Sequence, residues 1–163
     1  MRPSIQLLFL LLFVFQVKTY GQDSTSQIKD KWGIVKTLLQ KRCDIISNLT
    51  KTLSKSKVSK TQNNNLKTLA IDFYNYVDSL GLTDSVSISI AAAKNKKLWQ
   101  SLIVTLIEIE KHQEIMNTEK FAILQGNLEG CENSIQKATR DYNEICSMYN
   151  RKDLLFLLYY QNR

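Results

Sequence analysis

The chain has 163 residues, room for one domain, with 22 Lys and Arg against 15 Asp and Glu and a formal net charge of +7. That balance is moderately basic. No stretch interleaves basic with aromatic residues as a nucleic-acid surface does, so no nucleic acid is expected as a partner.

In chain order, the first segment reads as a leader. Arg2 supplies a positive start, Ile5 to Val17 form an apolar run broken only by Gln6 and Gln16, and Thr19 and Gly21 are placed like the small residues of a cleavage site. This is the pattern of a secretory signal peptide over residues 1–21, removed at or near Gly21. A retained N-terminal membrane anchor is the alternative, but the apolar run is short of the roughly 20 residues that a span needs. Beyond the leader there is no proline, and the glycines are Gly33, Gly81, Gly126 and Gly130. Long helices are therefore allowed.

Four segments carry heptad-like apolar spacing. The first, from about Ser24 to Lys60, has the seam Ile28, Trp32, Val35, Leu39, Arg42, Ile46, Leu49 and Leu53, with Asp23 or Ser24 as its cap. The second, from about Asn63 to Leu80, places Leu66, Leu69, Phe73, Val77 and Leu80 on one face, with Gly81 suited to the C-terminal cap. The third, from about Asp84 to Met116, is clearest at Leu98, Leu102, Leu106 and Ile109. Its start, Ser85 to Ile90, alternates as a strand would, but a lone strand has no partner, so it is taken as helix or loop. The fourth, from about Thr118 to Arg151, has the seam Phe121, Leu124, Leu128, Cys131, Ile135, Ala138, Tyr142, Ile145 and Tyr149.

Four such helices with short links must bury their stripes on one another. The expected fold is all-α, an antiparallel four-helix bundle with long coiled-coil-like helices, over residues 22–153. The apolar tail, residues 154–163, is expected to fold against the bundle through Leu154 to Tyr160. A partner- or membrane-docking role is its alternative.

Little in the chain resembles a catalytic site. His112 lies among Glu110, Lys111 and Glu114 with no second histidine to complete a typical metal site, and is read as a solvated surface residue. No phosphate-binding loop, nucleophile elbow or metalloprotease signature occurs. No enzyme activity, cofactor or metal is expected. Cys43, Cys131 and Cys146 are an odd set, so at least one thiol is unpaired. Cys131 and Cys146 lie about 22 Å apart on one helix and cannot bridge, and all three read as small buried hydrophobes. Asn48-Leu49-Thr50 is a formal glycosylation sequon lying in a helix seam, and is expected to be unused.

Arg42 is the most informative single residue. A cation in an apolar seam either lays its stem on the seam with its head in water or pairs with a carboxylate inside the bundle. If the first and last helices are antiparallel neighbours, residue 42 is level with about residue 135, and Glu132, about 4.5 Å away along the axis, is the expected partner, with Glu129 the next candidate.

Trp32, followed by Arg42-Cys43-Asp44-Ile45-Ile46-Ser47-Asn48-Leu49, resembles the first-helix signature of the LemA family. Leu128-Glu129-Gly130-Cys131-Glu132-Asn133, then Arg140-Asp141-Tyr142-Asn143-Glu144 and Tyr149-Asn150, are similar to its last-helix signature. Ser47 stands where the family usually has proline, and residues 60–97 match only as amphipathic helix. The resemblance implies a non-catalytic, envelope-associated bacterial helical bundle, periplasmic or membrane-associated. It marks Arg42, Glu132, Trp32, Asn48, Asn133, Tyr142 and Asn143 as structural or interaction residues. Other envelope proteins or the membrane surface are the expected partners, with self-association through apolar helix faces or the tail. A secreted four-helix ligand of cytokine type is the alternative, although such ligands usually carry disulfides.

Overall fold

The computed structural model describes residues 4–81 and 84–158, with side chains from Ser24 onward. Expectations about the leader and its cleavage, and about Tyr159 and Tyr160 in the tail, fall outside the described side chains. The described chain is all-helical. Helices α1 (Ser4–Leu53), α2 (Lys60–Ser79), α3 (Ser85–Glu110), the short α4 (Gln113–Met116) and α5 (Glu119–Met148) are followed by a 3-10 turn, Lys152–Leu154.

The helix boundaries correct several expectations. No helix starts at Ser24 under an Asp23 or Ser24 cap, because α1 is continuous from Ser4. It also stops at Leu53, short of Lys60. There the Ser54 and Ser56 hydroxyls donate to the carbonyls of Lys51 and Leu53, three residues back, and compete with the helical ladder. Ser59 caps α2 by accepting from Gln62 N, Asp84 caps α3 by accepting from Ser87 N at 2.7 Å, and Thr118 caps α5 by accepting from Phe121 N at 3.2 Å. Gly81 is no left-handed cap, since no described glycine has positive φ. That role falls to Asn150, φ 55°, after α5. There Arg151 N donates to Cys146 O and Asn150 N to Ser147 O, the paired bonds of a Schellman closure.

The alternating run at the start of α3 is helical. Ile88 is buried while Val86 and Ile90 are exposed. Apolar residues on two opposite sides of one helix mimic the period of a strand.

All eight seam residues of α1 are buried. They pack on α5 and α2, and α2 packs on α3. Side-chain cross-links join these pairs. Lys36 near the start of the α1 seam meets Asp78 near the end of α2, while Asn63 near the start of α2 donates to Thr50 O near the end of α1. Lys94 pairs with Asp72, and Tyr76 OH donates to Ser87 O, between α2 and α3. Cys131 of α5 reaches Leu38 O of α1 at 3.6 Å. One continuous apolar cluster fills the interior. Each fully buried Leu, Ile or Phe in it contributes about 2 kcal/mol. Among the described residues, no helix is long and apolar enough to cross a membrane.

Candidate functional site

Two constellations stand out, and both draw on the residues singled out by sequence. The first is the polar centre of the bundle. Arg42 is fully buried, which removes the reading that its head lies in water. Its Nη1 donates to Glu132 Oε1 of α5 at 3.3 Å. Its Nη2 donates to Asn95 Oδ1 of α3. Its guanidinium lies 5.6 Å from the centroid of the Phe73 ring on α2, within range of a cation–π attraction. One side chain of α1 thus touches all three other long helices at one level.

This network is not saturated. Among the described residues, Arg42 Nε and Asn95 Nδ2 have no hydrogen-bond partner. A partly satisfied buried network costs stability relative to an apolar core. Asn95 does not stand out in the sequence because a polar residue occupies a position where the pattern calls for an apolar one. Its place three residues before Leu98, in the seam's own rhythm, was the available signal.

The second constellation closes the end of the bundle. Trp32 of α1 packs on Tyr142 at 5.4 Å and on Phe156 at 5.6 Å between ring centroids. Tyr142 OH donates to Leu154 O at 2.8 Å. Asn143 donates from Nδ2 to Phe156 O at 3.0 Å and accepts at Oδ1 from Phe156 N at 2.9 Å. Leu154, Phe156 and Leu158 are buried, and Leu157 is exposed. The described part of the tail therefore lies on the bundle.

Asn48 and Asn133 belong to neither constellation, since both are exposed. The sequon thus has its asparagine on the surface rather than in the seam, while Thr50 is buried and its hydroxyl donates to Ser47 O. His112 is half-buried rather than solvated, between Glu108 at 3.7 Å and Glu114 at 3.4 Å. The Lys111 and His112 side chains hold the Glu108 carboxyl below its usual value. A backbone hydrogen bond within its own residue, with a smaller contribution from His112, does the same for Glu114. Among the described residues, no three His, Cys, Asp or Glu side chains are grouped as metal ligands.

Cys43, Cys131 and Cys146 are all buried and free. Burial pushes the Cys43 thiol up to about 12 and also raises those of Cys131 and Cys146. A thiol that holds its proton at neutral pH is a poor nucleophile. The Tyr142 hydroxyl is raised too, first by burial and then by its hydrogen bond with Cys146.

The class defined by this architecture is an all-α helical bundle with a polar centre and a clamped tail. Within that class the chain belongs to the LemA family, which it matches over residues 31–156. The match runs from just before Trp32 to Phe156, so both partners of that ring contact lie inside it. No curated protein matches the chain.

Proposed function

We propose that this LemA family protein is a non-catalytic helical scaffold or interaction protein of the bacterial envelope. Its architecture in this reading is a closed antiparallel four-helix bundle, exported behind a signal peptide. One observation carries the reading. The polar side chains at the bundle centre, Arg42, Glu132 and Asn95, are all buried, and Arg42 engages both of the others. They hold helices together and present nothing to a substrate. The buried, protonated thiols point the same way. The open grooves are lined by ordinary surface residues. One groove between α1 and α5, about 520 Å³, is bounded by Asn48, Lys51, Glu119, Lys120, Ile123 and Leu124.

Family membership supports an envelope role, and the leader pattern supports export. The test is fractionation of cells producing the chain, with intact mass measured in each fraction. The expected result is protein in the periplasmic or membrane fraction, shortened by the first 21 residues. A full-length chain confined to the cytosol would overturn the reading.

A further inference from the structure

We propose that the outer face of α3 is a docking seam for a partner helix that places an acidic residue against Lys97. The inference deepens the interaction role proposed above, and rests on it for its biological setting but not for its geometry.

The buried face of α3 is Ile88, Ala91, Asn95, Leu98, Leu102, Thr105 and Ile109, stepping by three and four. A second series runs down the opposite side. It starts at Val86, Ile90, Ala93 and Lys97 and continues through Gln100, Val104 and Ile107, stepping strictly by four and three. Every member is exposed, with Val86 at 65%, Val104 at 55% and Ile107 at 52%. Over three heptads, such alternation is the signature of a helix that packs lengthwise on another helix. Five of the seven members, Val86, Ile90, Ala93, Val104 and Ile107, are apolar, which a solvent face does not call for. A helix apolar on both sides is ordinarily covered on both.

The polar members of the seam choose the occupant. Lys97 lies at its midpoint. If a second copy paired α3 with α3, parallel in register or antiparallel about the seam's centre, Lys97 would face Lys97. Like charges set against each other in a desolvated seam are strongly unfavourable. A partner helix with Leu or Ile along its own seam and Glu or Asp at the centre turns that repulsion into attraction. A bilayer would accept the apolar residues, but it has no use for a strict heptad register.

The test uses the full chain and two synthetic three-heptad peptides with leucine seams, one with Glu and one with Lys at the central seam position. Binding is read by fluorescence anisotropy. The expected result is that the Glu peptide binds at least about tenfold more tightly than the Lys peptide, a difference of about 1.4 kcal/mol. Lys97→Glu should reverse the order, and Val104→Asp should abolish binding of both, with circular dichroism confirming that each variant is folded. Failure of both peptides to bind, or equal binding of the two, overturns the proposal. Two further outcomes also overturn it: dimerisation of the chain alone that is lost in Val104→Asp, which makes a second copy the occupant, and binding to phosphatidylglycerol vesicles that is lost in the same variant, which makes it a membrane. A cytosolic location would refute the envelope role while leaving the peptide result standing.

Discussion

Asn143 grips Phe156 by both of its backbone groups, donating to the carbonyl at 3.0 Å and accepting from the N–H at 2.9 Å. A side-chain amide here does what a neighbouring strand would do for an extended segment. The grip sets Phe156 against Trp32 and leaves Leu157 outward. Asn143→Asp keeps the acceptor but loses the donor, and sets a carboxylate against a carbonyl. It should cost about 2 kcal/mol, the penalty of an unsatisfied buried group. Deleting residues 154–163 should lower the melting temperature and shift Trp32 emission to the red, read in a Trp99→Phe background. Unchanged emission and stability would mean that the tail does not cover Trp32 in solution.

Asn150 is the only described non-glycine residue with positive φ. Asn tolerates the left-handed region that the Schellman closure needs, whereas a β-branched residue does not. Asn150→Val should destabilise by about 1–2 kcal/mol, and Asn150→Gly should be near neutral. Urea denaturation of the two variants decides it, and equal stabilities would show that the α5 terminus closes differently.

Gly130 sits inside α5 although a Cβ there would meet nothing within 4 Å. Glycine in a helix interior costs about 1 kcal/mol relative to alanine. Gly130→Ala should therefore raise the urea midpoint. A loss of stability would reveal a close approach at this site that the fold does not show.

Much of this was legible in the sequence. The α1 seam was readable throughout, because long helices without proline keep a strict four-three rhythm and each apolar position has a neighbour to bury against. The Arg42–Glu132 contact was readable from the near-midpoint place of each residue on its own helix. What escaped was decided by three-dimensional context. Asn95 and Thr105 occupy core positions of α3 that a search for apolar residues passes over. The helix start at Ser85 read like a strand because two seams, offset by two residues, share one helix. The cap at Gly81 was inferred from residue type alone, but Leu80 adopts extended backbone there, so no left-handed residue is needed. Asn48 and Asn133 were marked only by resemblance, and nothing among their described contacts explains them.

The thiols give the chain an alkaline weakness. Burial pushes the Cys43 thiol up to about 12 in the folded state, well above the roughly 8.5 of an unfolded thiol. Folding therefore holds a proton that the unfolded chain releases above pH ~8.5. The resulting stabilisation is full below that pH and is lost progressively as pH rises toward 12. Cys131, Cys146 and Tyr142 are shifted in the same direction. The urea midpoint should fall between pH 7.5 and 10.5, and by less in Cys43→Ala than in the parent chain. Identical pH slopes would show that Cys43 is not protected. Native alkylation of all three thiols at pH 8 should be slow, and rapid under urea.

The central cluster makes the most demanding prediction. Arg42 is fully buried, and its carboxylate partner lies on α5, far along the chain. Desolvation offsets most of the attraction in such a pair, so its net contribution to stability is small. Removing one partner is a different matter, because it leaves the other charge uncompensated. Arg42→Met, which takes the buried cation from Glu132, should cost about 3 kcal/mol, and so should Glu132→Gln, which takes the carboxylate from Arg42. The double variant should cost less than the sum, because the attraction that hydrogen-bonded Arg42 and Glu132 share is then lost only once. Asn95→Leu should be less harmful than either single charge removal, since it also removes the unpartnered Nδ2. A register function makes a further demand. The double variant should keep its helicity but broaden its unfolding transition or its amide spectrum, because a wholly apolar centre tolerates more than one alignment of α1 on α5. Strictly additive losses would refute the coupling. A double variant with native sharpness and undiminished stability would show that Arg42 does not set the register.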